Sequence, residues 1–183
     1  MDREQALKLL QQHLKNKNLL KHSYAVEAIM RGLAAKLGED EEVFAIAGLL
    51  HDIDYEATAA DPERHSVVGA KMLEEEGLDP AIVHAVLTHN DIHGIERESV
   101  MDKCLFCADP VSGLVTAAAL VRPDKKLDTV TVEFLDKKYA DKTFAKGANR
   151  HTMAACADIN MSLDELFTVA LDAMKGISGE LGL

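Results

Sequence analysis

Six side chains in this sequence carry the donors that a divalent cation takes: His22, the doublet His51-Asp52, His65, His89 and Asp109. Imidazole and carboxylate together suit a divalent metal. The doublet closes the apolar run Val43-Phe44-Ala45-Ile46-Ala47-Gly48-Leu49-Leu50, so packing that buries the run also delivers an imidazole and a carboxylate to one place. Burying two polar groups there is costly unless something binds them. Neighbouring helical residues point about 100° apart, so His51 and Asp52 flank an ion at a helix end rather than stack on one face. His22 follows Leu19-Leu20-Lys21 near the start of another helical run, and Asp109 adds an oxygen from far along the chain. Two imidazoles and two carboxylates would hold one hard or borderline cation with positions open to water.

The elements that must position these groups read as helices throughout. Leu7, Leu9, Leu10 and Leu14 recur at helical spacing, and Val26, Ile29, Met30, Leu33 and Leu37 do so up to Gly38. A third helix is expected from about Glu41 to His51. After a loop through Ala57 and Ala60, Asp61-Pro62 predicts the start of a fourth helix running from Glu63 to Gly77, and Asp79-Pro80 the start of a fifth ending near His89-Asn90. Asp91 to Glu98 reads as loop. Val100 to Ala108 reads as helix, with Pro110 predicting a kink or break before Val111 to Val121 and so placing Asp109 at a junction. One surface helix is expected between Asp128 and Lys142, another from Lys142 to Ala157, and a last from Ser162 to Lys175 with Ser162 and Glu165 as a capping box. No segment alternates cleanly as a strand, and there is no repeat. The predicted class is all-α, one helical domain over residues 1–183.

Composition narrows the partners. With 31 acidic against 20 basic residues the formal charge is -11, which argues against duplex nucleic acid or an anionic membrane as the main partner. No leader pattern opens the sequence and no uninterrupted apolar stretch approaches the ~20 residues of a membrane span, so the expected location is cytoplasmic. Cys104, Cys107 and Cys156 are too few for a disulfide framework; the Cys104-x-x-Cys107 spacing lacks the other half of a zinc site and fits one turn of a buried helix. Met30, Met72 and Met174 read as core, and His13, His84 and His151 as ordinary surface or satisfied histidines. A homo-oligomer stays open, with no segment naming an interface.

A histidine, a His-Asp doublet and a distant aspartate, in that order on an all-helical chain, resemble the HD superfamily of metal-dependent phosphohydrolases. The phrase Ala108-Asp109-Pro110-Val111-Ser112-Gly113-Leu114 is similar to its small bacterial HDIG-type branch. The resemblance implies a first ion held by His22, His51, Asp52 and Asp109. His65-Ser66-Val67-Val68-Gly69-Ala70 and Leu87-Thr88-His89 resemble the second histidine pair of two-metal members, which implies a second ion held by Asp52, His65 and His89. The cyclic-dinucleotide phosphodiesterases of the family carry a Gly-Tyr-Pro motif where this chain has Asp91-Ile92-His93-Gly94-Ile95. They also place a lysine after the doublet where Ile53-Asp54-Tyr55 stands here, so the match to them fails.

The chemistry implied is hydrolysis of a phosphoester or phosphoanhydride by a metal-activated water, with one or two Mn, Fe, Co, Mg or Zn ions and a small phosphorylated substrate, by family habit a nucleotide. Asp52 is the central candidate. Asp54 or Glu56 is a candidate to orient the water or receive its proton, and His93 to touch substrate or support a ligand. A net-acidic protein must focus positive charge locally to take a phosphate. Arg122 offers it, and so do Lys142, Lys146 and Arg150, whose spacing predicts one helical face, although such a stripe is commonly just a solvated basic surface. Two other readings share these ligands: a di-iron oxygenase of the same fold, and a metal-dependent nucleotide-binding domain without turnover.

Overall fold

The computed structural model describes residues 1–183 as helices and turns with no strand, the all-α class expected. Helix α1 (Arg3–His13) starts at a capping box between Asp2 and Gln5. It leads into α2 (Lys17–Leu37), which Asn16 caps and Gly38 ends in a left-handed turn. Asp40 caps α3 (Glu41–Leu50), its carboxylate accepting from the backbone of Glu42 and Val43. The two long apolar faces, Val26, Ile29, Met30 and Leu33 on α2 and Phe44 to Leu50 on α3, bury against each other. Gly48 makes that approach possible, because a Cβ there would lie 2.8 Å from the Val26 carbonyl and 2.9 Å from Met30 Cγ.

The fourth helix departs from its predicted start. A short turn of helix, α4 (Tyr55–Thr58), follows the doublet, and residues 62–66 stay as turns although Asp61-Pro62 invites a helix. α5 (Val67–Glu75) begins only after Ser66, whose φ of +70° costs about 1–3 kcal/mol for a non-glycine residue. Backbone N–H groups of Ser66 and Gly69 donate to the Asp54 carboxylate, and the Ser66 hydroxyl to the Leu87 carbonyl, and together they hold that conformation. α6 (Pro80–Thr88) starts as expected, with Asp79 capping and Pro80 in the first turn, and a 3₁₀ turn, Asp91–His93, follows.

Pro110 breaks nothing. α7 (Val100–Leu120) runs through it as one helix. A proline inside a helix costs about 3 kcal/mol in lost hydrogen bonding and steric clash; here that is offset by burial of Leu105, Cys107, Ala108, Val111, Leu114 and Val115 on either side. By length and composition α7 could cross a membrane, but most of it is buried inside this protein as the central helix.

The remaining elements are α8 (Val132–Ala140), α9 (Arg150–Ala154), α10 (Leu163–Gly176) and α11 (Ser178–Leu181). α10 carries the predicted Ser162/Glu165 capping box. The expected helix over Lys142 to Ala157 does not form: residues 141–149 are turns, Asn149 caps the five-residue α9, and a 3₁₀ segment follows it. Cys104, Cys107 and Cys156 are buried free thiols, and Met30 and Met174 are core, as expected.

Candidate metal centre

All six candidate ligands converge. His22 lies in the second turn of α2, His51 and Asp52 at the end of α3, His65 in the turn before α5, His89 at the end of α6 and Asp109 midway along α7. The Asp52 carboxylate stands between two groups. Its Oδ2 lies 3.5 Å from both His22 and His51 Nε2, and its Oδ1 lies 3.3 Å from His65 Nε2 and 3.5 Å from His89 Nε2. Asp109 Oδ1 joins the first group, 3.1 Å from His22 Nε2 and 3.9 Å from His51 Nε2. Donor atoms of His22, His51 and Asp52 all fall within 4.8 Å of one another, as do those of Asp52, His65 and His89.

The opposite ring nitrogens decide what the centre wants. His51 Nδ1–H donates to the Gly48 carbonyl at 2.8 Å and His89 Nδ1–H to the Val86 carbonyl at 2.6 Å. His22 Nδ1–H donates to Ser112 Oγ, whose own proton goes to the Asp109 carbonyl, and His65 Nδ1–H donates to Asp54. With every Nδ1 engaged as a donor, each neutral imidazole turns its Nε2 lone pair toward the same small volume. Two such pairs meet head-on, His22 with His51 at 3.1 Å and His65 with His89 at 3.2 Å. Lone pairs aimed at one another repel unless a cation lies between them, so this donor set fits one or two divalent ions.

Without a metal, protons supply the positive charge. Burial pulls the His22 pKa down, but the hydrogen bond and charge of Asp109, with Asp52 behind, raise it to about 9. His65 also resists burial, since Asp52 and Asp54 on its two nitrogens raise it to about 10. His51, fully enclosed, is pushed down to about 4 by burial. For Asp52 burial opposes ionisation, but His51, His65, His89 and His22 outweigh it and keep the carboxylate well below the usual range; His22 does the same for Asp109.

Asp54, a candidate to orient the water, is not exposed to it. It is buried, with Oδ1 on His65 Nδ1 at 2.9 Å and Oδ2 taking the Ser66 and Gly69 N–H groups at 2.9 and 2.8 Å, so both oxygens are engaged by protein donors away from solvent. The candidate role in orienting water is corrected to orienting His65. Glu56 likewise faces away, accepting from the backbone of Lys15 and Asn16 at 3.0 and 2.5 Å. His93 supports rather than lines: its Nε2–H donates to the His65 carbonyl at 2.8 Å, and Asn90 Nδ2 reaches that carbonyl too. Asn90 went unnoticed in the sequence, as did Ser112, although one turn beyond Asp109 was the place to look for the latter.

The basic stripe dissolves, because Lys142, Lys146 and Arg150 share no helix. Arg150 turns its guanidinium onto the carbonyls of Lys138, Tyr139, Asp141, Phe144, Ala145 and Ala148, leaving nothing for a phosphate; it builds the 141–149 loop. Lys142 and Lys146 line a cavity beyond Gly147 and Asn149, whose other side borders the metal centre. Arg122 lies past the end of α7, whose last residue, Leu120, is already about 16 Å along the axis from Asp109 at roughly 1.5 Å per residue. It stacks on Phe134 and donates to Thr129. The cavity at the metal centre itself, about 290 Å³, is lined by His65, His89, Asp91, Phe106, Asp109 and Asn149 among others.

The HD domain family matches residues 19–145, from just before His22 to beyond Asp109. Similar curated proteins are Ribonuclease Y of Lachnoclostridium phytofermentans, 29% identical over 90% of this chain and 32% of that protein, and Ribonuclease Y of Clostridium kluyveri, 31% identical over 67% of this chain and 25% of that protein. The chain thus spans about a third of the length of these relatives or less. With the family match running through the ordered His, His-Asp and Asp positions, this chain belongs to the HD superfamily of metal-dependent phosphohydrolases.

Proposed function

We propose that this chain hydrolyses a phosphodiester bond in a nucleotide substrate, with His22, His51, Asp52 and Asp109 holding one divalent ion and Asp52, His65 and His89 a second. The observation that carries this reading is the pairwise convergence of four Nε2 lone pairs on the two oxygens of one carboxylate. The similarity to proteins named Ribonuclease Y supports a phosphodiester, and makes a short RNA strand a substrate to try beside mononucleotides and dinucleotides. When bound, a divalent pair supplies a water made nucleophilic at neutral pH and polarises the phosphoryl oxygen. The chain's own part is placement. Asp52 spans the two groups, Asp54 and Ser112 fix the tautomers of His65 and His22, and the Gly48 and Val86 carbonyls fix those of His51 and His89.

The deciding experiment removes metal, restores Mn²⁺, Co²⁺, Mg²⁺ or Fe²⁺ in turn, and follows product release from nucleotides, dinucleotides and short RNA beside an Asp52→Ala control. Metal-dependent release that Asp52→Ala abolishes is the expected result. Stoichiometric metal with no release from any substrate would sink hydrolysis, and oxygen consumption by the iron form would replace it with oxidative chemistry.

A further inference from the structure

The cavity at the metal centre is lined by Asp91 and Asp109 and by no lysine or arginine, so apart from the metal site itself its lining offers a phosphate no guanidinium or ammonium partner. Arg97 stands directly behind two of the lining residues, Phe106 and Asp91. The guanidinium stacks 3.6 Å above the ring of Phe106, which lines the cavity. One arm, Nη1, donates to the carbonyl of Thr88, the residue before His89, and the other, Nη2, donates to Asp91 Oδ1 at 3.2 Å. The stack and the carbonyl hold the group in place before any ligand arrives. Asp91 is the loose partner: its side chain is 59% exposed, and an exposed aspartate–arginine pair contributes little and is readily exchanged.

We propose that Arg97 is the phosphate-receiving residue of this site, with Asp91 occupying its Nη2 arm until a substrate phosphate displaces the carboxylate. The proposal deepens the phosphohydrolase reading and rests on it for the substrate's identity, though not for the binding of phosphate itself. A planar guanidinium offers paired donors to phosphate oxygens, which carry more charge than the aspartate they replace. Four other cations are less well placed for the role. Arg150 is consumed by backbone carbonyls, Lys142 and Lys146 lie beyond the Gly147 wall, and Lys21 Nζ is held by the Leu181 carbonyl.

The test is calorimetric binding of inorganic phosphate to the Mn²⁺-loaded protein, for the wild type, Arg97→Ala, Arg97→Lys and Asp91→Ala, with manganese content and melting temperature recorded for each. At full metal content, Arg97→Ala should weaken phosphate by about tenfold or more and Arg97→Lys by less, since the lysine keeps charge but loses the fork. Asp91→Ala should tighten phosphate a few-fold by removing the competitor, a change that a merely structural role for the pair would not produce. Phosphate affinity equal in Arg97→Ala and wild type, weakening in Asp91→Ala, or no phosphate binding to the wild type at all would each overturn the proposal. Wild-type protein that binds phosphate through Arg97 yet hydrolyses nothing would instead overturn the hydrolase reading and leave this one standing. Hydrolysis with unchanged KM in Arg97→Ala would do the reverse.

Discussion

The two halves of the metal centre are built by different physics. The half containing His22, His51 and Asp109 hangs on α2, α3 and α7, three helices whose apolar faces interlock, and His51 is completely enclosed. The half containing His65 and His89 rests on a turn and two nine-residue helices, held by a polar web of Asp54, Ser66, Asn90 and His93. Packing fixes the first half and hydrogen bonds fix the second, so the two should fail separately. Asp52 is the exception, because its two oxygens serve both.

The largest effect is therefore expected at the shared residue. Asp52→Ala removes both contacts at once, and metal content measured by atomic emission should fall toward zero with activity lost. Asp54→Ala should split the halves. It frees the His65 ring and leaves the buried N–H groups of Ser66 and Gly69 without an acceptor, so metal content should drop toward one ion per chain, with about 10–100-fold lower affinity for the second. Equal loss of both ions in Asp54→Ala would show that the halves are one cooperative unit.

This difference also explains what could be read in advance. The first half was legible because it obeys periodicity: the apolar run from Val43 to Leu50 announces a buried helix and hands its end to His51 and Asp52. The order of ligands then fixed the family. The second half obeys long-range hydrogen bonds that leave no periodic trace. Asp54 looks like a loop acid beside Tyr55 and Glu56, yet it accepts from the backbone at the start of α5 from thirteen residues before Val67, which is why α5 starts at Val67 and not after Pro62. Pro110 misled because local propensity charges a fixed penalty for proline that the burial of α7 outweighs. The i, i+4 spacing of Lys142, Lys146 and Arg150 misled for the opposite reason. Gly147 and the capping Asn149 interrupt it, and those two residues were the available warning. Arg97 carries no signal at all in sequence, since its importance lies in Phe106 beneath it.

Two glycines sharpen the contrast on a smaller scale. A methyl at Gly48 meets backbone at 2.8 Å, so Gly48→Ala must push α2 from α3 and should cost about 1–3 kcal/mol, lowering the melting temperature by several degrees. A methyl at Gly69 meets the Asp54 carboxylate at 3.2 to 3.4 Å, and the carboxylate can give a little. Gly69→Ala should melt near the wild type but bind the second ion more weakly. Thermal melts with metal titration distinguish them, and the opposite pattern would contradict the division into a packed half and a hydrogen-bonded half.

The smallest expected effect is on the metal-free protein as pH changes, and it engages both halves. His22 and His65 have folded pKa values of about 9 and about 10, above the ordinary 6.5. Their bound protons stabilise the fold fully below that ordinary value, and the contribution fades as pH rises through 9 and then 10. His51, held near 4, works in the other direction: it favours the fold above pH 6.5 and loses that contribution as pH falls toward 4. The metal-free melting temperature should therefore peak near pH 6.5 and decline by a few degrees on either side. His65→Ala should roughly halve the alkaline decline between pH 6.5 and 9, where His22 still contributes, and abolish the remainder between 9 and 10. Metal loading should reverse the alkaline limb altogether, since an ion must displace the protons on His22 and His65 and so binds more tightly as pH rises. A melting curve that declines equally at alkaline pH with and without manganese would mean that protons and metal do not compete for these nitrogens.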